Sequence, residues 1–202
     1  MTSDGSADPI ELIARARRGD ETALGRLLEQ SRNYLKLLAR LQIDRQLQGK
    51  ADASDLVQET FMEAVNDFPA FRGSSEGEWL AWLRQILEHN AADAVRKHVG
   101  TDRRDIRREI PFSSGSSSGL APSILTAEGE SPSQQVMREE RELQLADALA
   151  SLAPDHREVI VLRNLQRLAF EEVAVRMGRS RPAVQMLWTR AMRKLQETMA
   201  AK

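Results

Sequence analysis

The chain has 202 residues, of which 41% are hydrophobic, 29% charged and 4% aromatic. This length and hydrophobic content are enough for two compact domains, and the scarcity of aromatic residues favours helices over strands. The absence of cysteine excludes disulfides, thiolate metal sites and a cysteine nucleophile, and the three histidines lack HExxH spacing. Neither a bilayer-spanning run nor a secretory signal is recognisable. We therefore expect a cytoplasmic, all-α protein without membrane insertion, metal or cofactor.

Charge is distributed unevenly, although the net charge is only −1. Residues 52–78 contain seven acids and one base, whereas residues 176–202 contain seven bases and one acid. Residues 96–108 add six bases against two acids. This division suggests a polyanionic partner for the basic parts and a different partner for the acidic part. Two solvated helix faces would also explain it.

Capping residues and hydrophobic spacing predict helices along most of the chain. The predicted helices are one from Pro9 to Gly19, one capped by Asp20, one over 53–67, one from Glu76 to about Val99 that ends at Gly100, and four more over 132–152, 155–165, 170–177 and 181–200. Residues 112–133 are rich in Ser, Gly and Pro, as flexible linkers are. We expect two helical domains, 1–110 and 132–202, joined by a flexible linker over 111–131.

The last two predicted helices are joined by a short turn, 177–180, as in a helix-turn-helix module. Many helix–helix corners share this outline without binding DNA. The final helix has an apolar side made of Val184, Leu187, Trp188, Ala191 and Leu195. Its other side carries Arg181, Gln185, Met186, Thr189, Arg190, Arg193 and Gln196. Arginine and glutamine can read base edges, so this side favours DNA binding.

Two helices of the first domain carry unusual outer faces. The helix over 53–67 has a predicted buried stripe of Val57, Phe61, Ala64 and Phe68, and an opposite face of Asp55, Gln58, Glu59, Met62 and Asn66. Its methionine suggests a protein contact, although single exposed methionines are common. The next helix buries Leu80, Leu83, Ile86, Leu87 and Ala94, with Asn90 expected as a hydrogen-bonded core residue. Trp82, near Gln85, His89 and Arg96, either stacks on unpaired bases or packs under the first helix.

These same stretches resemble a known family. Residues 55–61 (DLVQETF), 71–73 (FRG), 82–86 (WLRQI) and 93–96 closely resemble region 2 of bacterial RNA polymerase sigma factors of the extracytoplasmic-function (ECF) type. Residues 152–160 (LAPDHREVI) and the helix-turn-helix after them resemble region 4. The segments 34–52 and 106–112 look most like planctomycete members. The resemblance covers about 10–110 and 132–200, nearly everything but the linker.

The resemblance implies a DNA-binding sigma factor that is not an enzyme, with core RNA polymerase and promoter DNA as partners. Region 2 binds the clamp helices of the largest polymerase subunit, the polymerase flap is a further expected contact, and an anti-sigma partner is left open. The matching core-polymerase positions are Asp55, Leu56, Gln58, Glu59 and Met62. Those for melting the minus-ten element are Phe71, Arg72, Trp79, Trp82, Arg84, Gln85, His89 and Arg96. Those for the minus-thirty-five duplex are Arg181, Gln185, Thr189, Arg190 and Arg193.

Three departures from the family pattern concern DNA specificity. The stretch between Phe71 and Trp82 is slightly longer than in common members, and His89 stands where many have asparagine. Gln185 and Leu187 replace arginines that are frequent in the recognition helix. A helix-turn-helix regulator that acts on duplex DNA without polymerase is the competing interpretation. An enzyme is a third, for which the sequence offers no nucleophile–base pair, metal set or phosphate loop.

Overall fold

The computed structural model describes residues 7–46, 52–102 and 132–201. Within these ranges all regular elements are helical and no strand occurs, which confirms the predicted all-α class. No helix in the described part of the chain is long and apolar enough to cross a membrane. The chain divides into two compact units, Met1–Thr126 and Ala127–Lys202. The predicted flexible linker over 111–131 lies outside the described residues.

The first unit is built around its second helix. Its described helices are α1 (Pro9–Arg17), α2 (Glu21–Gln46), α3 (Ala53–Asp67) and α4 (Glu76–Asp102), with a short 3-10 turn at Phe68–Ala70. α2 packs against α1, α3 and α4, and α3 also packs against α4. The side chains of Leu27, Tyr34, Leu35 and Leu38 in α2 are buried, so the core of this unit lies along α2.

The starts of α1 and α2 are determined by aspartate caps, as the sequence predicts. Asp8 Oδ1 accepts a hydrogen bond from the backbone N–H of Ile10 at 2.9 Å. Asp20 Oδ1 accepts one from the backbone N–H of Ala23 at 3.0 Å. Between the two helices, Gly19 adopts a φ of +90°, which favours glycine because it has no Cβ. The sharp turn between α1 and α2 is therefore encoded locally.

The bounds of α3 agree with the prediction, whereas the end of α4 does not. Asp52 caps α3 by accepting a hydrogen bond from the N–H of Ser54 at 2.8 Å. The predicted end of α4 at Gly100 is wrong, since α4 continues to Asp102. A single glycine costs a helix only about 1 kcal/mol relative to alanine, and a helix of this length can absorb that cost.

An aromatic cluster joins α4 to the turn before it and to α2. Its members are Phe68, Phe71, Trp79 and Trp82. The ring of Trp79 lies 5.5 Å from that of Phe71 and 5.3 Å from that of Trp82, between centroids. The indole N–H of Trp79 donates to Ser31 Oγ at 3.0 Å, and this hydroxyl donates to the carbonyl of Leu27 at 3.0 Å. A buried chain of hydrogen bonds therefore ties α4 to α2.

The described part of the second unit is a helical core around its last helix. Its elements are α5 (Pro132–Ser151), α6 (Pro154–Ile160), a π-helical turn (Val161–Leu165), α7 (Phe170–Met177) and α8 (Arg181–Ala200). α8 packs against α5, α6 and α7. The buried side of α8 consists of Val184, Ala191 and Leu195. Leu149 of α5 and Val173 of α7 are also buried in this unit. The predicted helix over 155–165 is thus an α-helix that continues as a π turn.

The predicted short turn between α7 and α8 contains a glycine in the left-handed region of backbone conformation. Gly178 has a φ of +61° and donates its N–H to the carbonyl of Val175 at 3.2 Å, while the N–H of Arg179 reaches the carbonyl of Ala174 at 2.9 Å. Ser180 occupies the N-cap position of α8, but its side chain forms no capping hydrogen bond within the described residues. Pro182, at the second helical position, removes one of the two N–H groups from which such a cap can accept a hydrogen bond.

We expect Ser31→Ala to lower the free energy of unfolding by about 1–3 kcal/mol, because the buried indole N–H of Trp79 would lose its acceptor. Chemical denaturation followed by circular dichroism measures this change. The control is Ser54→Ala, which alters an exposed side chain on α3 and should change the stability by less than about 0.5 kcal/mol. Equal stability of the two variants would show that the Trp79–Ser31 bond contributes nothing.

Candidate functional site

The outer face of α3 presents polar side chains around one methionine. Asp55, Gln58, Glu59, Met62 and Asn66 are all exposed, and Met62 is 63% exposed. Together with Glu63 and Asp67 these residues line a shallow open depression. The prediction of an exposed acidic and amide face with a methionine is confirmed. Such a surface combines charge for orientation with an apolar contact at its centre.

Leu56, which the resemblance includes among the core-polymerase positions, does not belong to this face. It is 5% exposed and lies on the buried side of α3 with Val57 and Thr60. Leu56 and Thr60 are four residues apart, so a stripe at that spacing could have identified both as buried. Phe61, which was predicted to be buried, is only half-buried, and the Arg32 guanidinium lies 5.1 Å above its ring.

The loop 71–75 and the start of α4 are held together by the carboxylate of Glu78. This carboxylate accepts hydrogen bonds from the N–H groups of Ser74 and Ser75 at 2.7 and 3.1 Å. The hydroxyl of Ser75 donates to the carboxylate at 3.1 Å and accepts from the N–H of Glu78 at 3.2 Å, so Ser75 and Glu78 form a capping box at the start of α4. The hydrogen bond from the Ser74 N–H, followed by those from Ser75, lowers the pKa of Glu78 below its ordinary value of 4.5.

Phe71 and Trp79 were predicted to contact the minus-ten DNA, but both are core residues. Their side chains are 5% and 1% exposed, because they pack against each other and against Phe68 in the aromatic cluster. Trp82 is half-buried, with its ring centroid 5.0 Å from that of Phe71. Of these three rings, Trp82 is the one with substantial accessible surface.

Arg84 is also removed from the predicted DNA surface. It is 6% exposed, donates a hydrogen bond to the hydroxyl of Tyr34 on α2, and lies 5.7 Å from the centroid of that ring. The sequence carried a signal for this position, because Arg84 follows Leu80 by four residues and precedes Leu87 by three, within the buried stripe of α4. The guanidinium of Arg84 therefore binds Tyr34 inside the first unit and does not project from its surface.

The remaining predicted minus-ten residues lie on accessible surface. Arg72 is exposed and donates to the carbonyl of Pro69 at 2.6 Å, and Gln85 is exposed on α4. His89 Nε2 lies 3.7 Å from a carboxylate oxygen of Asp93, to which Arg96 is also paired. Gln85, His89 and Arg96 follow Trp82 by three, seven and fourteen residues, which places them on the same side of α4 as Trp82. Such groups can bind phosphate or unpaired bases.

Asn90 lies on the buried side of α4, as predicted, but not with the predicted hydrogen bonds. It is 5% exposed, and its amide nitrogen has no hydrogen-bond partner within the described ranges. The expectation of a hydrogen-bonded core residue is therefore not met by this nitrogen.

Arg17 of α1 contacts the loop 71–75, although the sequence analysis did not single it out. Its guanidinium donates to the carbonyl of Gly73 and lies 5.7 Å from the centroid of the Phe71 ring. Arg17 and Gly73 are 56 residues apart in the sequence, so no local pattern could have indicated the contact. It becomes visible only when α1 packs on the rest of the unit.

The outer side of α8 is confirmed as a basic surface with few acids. Thr189, Arg190 and Arg193 are exposed, and Gln185 is half-buried. The hydroxyl of Thr189 donates to the carbonyl of Gln185 at 3.0 Å within the helix. Arg181 is exposed but forms an ion pair with Glu171 of α7, with 3.0 Å between Nε and the carboxylate oxygen. Charged and amide groups therefore project from the first turns of α8, where helix-turn-helix modules contact base edges.

Trp188 fixes α8 against the segment before α7. Its indole N–H donates to the side-chain oxygen of Asn164 at 2.9 Å, and its ring makes an edge contact with Phe170 at 5.7 Å. The guanidinium of Arg163 lies 4.7 Å from the other ring of this pair, that of Phe170. These contacts orient the two helices of the helix-turn-helix.

Comparison with known proteins assigns both units. Residues 30–101 match the family model "Sigma-70 region 2" and residues 148–197 match "Sigma-70, region 4". The chain is similar to the RNA polymerase sigma factor YlaC of Bacillus subtilis, with 30% identity over 73% of this chain and 77% of that protein. It is also 30% identical to the ECF RNA polymerase sigma factor BldN of Streptomyces coelicolor over 94% of this chain, and spans 65% of BldN's length.

A solved structure of an RsbN–BldN complex also matches, with 27% identity. The match covers 92% of this chain and 97% of that one, with a TM-score of 0.32.

We expect the stabilising effect of Glu78 to disappear in acid. Because its pKa in the folded protein lies below 4.5, its contribution is fully present above that pH and is lost as the pH falls through the lowered value. The difference in unfolding free energy between wild type and Glu78→Gln should therefore shrink on acidification. Denaturant titrations at a series of pH values measure it. A difference that stays constant throughout the acid range would contradict the hydrogen-bonded carboxylate.

Proposed function

The chain belongs to the ECF RNA polymerase sigma factors, and we propose that it binds core RNA polymerase and directs promoter recognition, strand opening and transcription initiation. Sigma factors are initiation factors, and we infer that this protein is not itself an enzyme. The observation that carries the proposal is the pair of contrasting exposed faces. α3 presents acids, amides and a methionine, whereas α8 presents arginines with an amide. A protein partner and a nucleic-acid partner suit these two surfaces respectively.

The outer face of α3 is the proposed polymerase contact. Asp55, Gln58, Glu59 and Met62 would bind the clamp helices of the largest subunit, and the second unit would contact the flap. Support comes from the exposure of all four side chains and from the exposed methionine among charged groups. Leu56 would act from inside, by holding α3 in place, since its side chain is buried.

The minus-ten element is proposed to meet Arg72, Trp82, Gln85, His89 and Arg96. The accessible part of the Trp82 ring would stack on an unpaired base, which contributes about 1–3 kcal/mol in single-strand binding. The exposed polar and basic groups beside it would hold the strand. Three of the predicted minus-ten positions are buried and would support this surface from beneath. They are Phe71, Trp79 and Arg84.

The minus-thirty-five duplex is proposed to meet the outer side of α8. Gln185, with Arg181, Thr189 and Arg190, would face base edges, and Arg193 would contact phosphate. The exposure of these residues and the short turn before α8 support the assignment. Arg181 has to exchange its ion pair with Glu171 for a contact with DNA.

We propose a cytoplasmic protein without a cofactor, for which an anti-sigma factor is an additional partner. The segments 34–52 and 106–112 carry the proposed affinity to planctomycete members.

Promoter-specific transcription by purified core polymerase tests the proposal. Addition of the protein should produce discrete transcripts from promoters selected by it, with none from core enzyme alone. The alternative is a helix-turn-helix regulator that binds duplex DNA without polymerase. That regulator would bind DNA in the absence of core enzyme and would neither bind core nor open promoters. The exposed α3 face favours the sigma factor, because a duplex-binding regulator has no use for it.

We expect the triple variant Asp55→Ala, Gln58→Ala and Glu59→Ala to bind core polymerase far more weakly, since central interface residues typically contribute 2 kcal/mol or more each. The three side chains are exposed, so the helix should stay folded. Affinity for core enzyme is measured by fluorescence anisotropy, with circular dichroism to verify folding. A control variant, Glu11→Ala with Glu21→Ala, removes two exposed acids from α1 and α2 and should retain affinity. Equal affinities would reject the assignment of α3.

Gln185 is expected to select adenine where arginine-bearing relatives select guanine. A glutamine amide pairs with adenine N6 and N7, whereas arginine pairs with guanine O6 and N7, and each pair discriminates by about 1–3 kcal/mol. Binding selection on randomised minus-thirty-five duplexes, with wild type and Gln185→Arg, measures the preference. Arg193→Ala serves as the contrast, because loss of a phosphate contact should weaken binding to all sequences alike. Identical selections by wild type and Gln185→Arg would show that Gln185 does not read DNA.

A further inference from the structure

Arg17 is the last residue of α1 and joins that helix to the loop 71–75. Its guanidinium donates a hydrogen bond to the carbonyl oxygen of Gly73. The same group lies 5.7 Å from the centroid of the Phe71 ring, within the range of a cation–π contact. One side chain therefore contacts both the backbone of the loop and the aromatic ring on which the loop rests.

The loop has little freedom to move around this contact. A Cβ added to Gly73 would lie 2.5 Å from Cζ of Phe71 and 2.7 Å from Cβ of Glu78, so the loop backbone is pressed against both side chains. On the far side, the carboxylate of Glu78 binds the N–H groups of Ser74 and Ser75. Arg17 supplies the restraint on the side of α1, and Glu78 supplies the restraint on the side of α4.

The two restraints leave particular groups accessible. Arg72 and Ser74 are exposed on either side of Gly73, and Trp82 keeps part of its ring accessible next to Phe71. A loop held at Gly73 presents Arg72 in a restricted set of positions relative to Trp82. Binding a flexible unpaired strand is stronger when the binding groups are already ordered, because less entropy is lost.

We propose that Arg17 is a positioning residue, which holds the loop 71–75 in the conformation that captures the opened promoter strand. This inference rests on the proposed function. Arg17 acts through Gly73 and Phe71, without touching DNA itself. α1 thereby takes part in strand opening, a step in which the sequence comparison assigns it no residue.

The first test measures the loop directly and does not depend on polymerase. The chain has no cysteine, so Ser74→Cys creates a single site for a nitroxide spin label. The backbone N–H of this position still reaches Glu78. In the Arg17→Ala background the label should move faster than in the otherwise wild-type protein, whereas Arg18→Ala should have no effect. Arg18 is the matched control, because it is the next residue, carries the same charge and is exposed.

The second test follows promoter opening by the holoenzyme. Arg17→Ala should slow open-complex formation about fivefold to tenfold, the size expected for the net contribution of one typical intramolecular hydrogen bond, with closed-complex affinity and core binding unchanged. Arg17→Lys should recover most of the rate, since an ammonium group can still donate to Gly73 and lie over Phe71. Arg18→Ala should open promoters at the wild-type rate.

Several results would overturn the proposal. They are an unchanged label mobility in Arg17→Ala, an unchanged opening rate, or a loss of thermal stability of the whole unit that accounts for the slower opening. A drop in closed-complex affinity with unchanged label mobility would mean that Arg17 binds DNA directly. If wild-type protein fails to open any promoter with core polymerase, the proposed function fails, and the spin-label comparison still decides whether Arg17 holds the loop.

Discussion

The first unit depends on the burial of Trp79 and on the hydrogen bond of its indole N–H to Ser31. The ring fills the space between α4 and the turn before it, and the N–H fixes α4 to α2. Since Phe71 rests on this ring, the position of the loop 71–75 follows from it. An apolar ring with one polar contact thus determines both the packing of helices and the shape of the surface above them.

In the second unit a tryptophan also joins two segments through one hydrogen bond and one ring contact, but the surface beside it is different. Trp188 donates its indole N–H to Asn164, and its ring makes an edge contact with Phe170 at the start of α7. This ring is half-buried and orients α7 and α8, while Arg190 stays exposed on the other side of α8 and Gln185 is half-buried beside the ring. In each unit a tryptophan connects two segments distant in sequence, and the exposed polar residues project from the helix that carries it.

Local chemistry made much of the fold predictable from the sequence. Caps such as Asp8, Asp20 and Glu78 act within a few residues, so the starts of their helices follow from the residues themselves. The four-residue spacing of buried side chains in α3 and α4 also predicts the burial of Leu56 and Arg84. The family resemblance, in contrast, placed both residues at binding positions. The contact between Arg17 and Gly73 had no sequence signal, because it forms only when α1 packs against the rest of the unit.

Energetic scale explains why the burial of Trp79 changes its functional interpretation. A tryptophan ring buries roughly 150–250 Å², which at about 25 cal/mol per Å² corresponds to roughly 4–6 kcal/mol. Stacking on one unpaired base contributes only about 1–3 kcal/mol. Moving the Trp79 ring out of the core to stack on DNA would therefore cost more free energy than the stacking supplies. Trp82 faces no such cost, because the accessible part of its half-buried ring can stack without repacking. Within α4, Trp79 therefore supports the surface from the core, whereas Trp82 can contact an unpaired base at that surface.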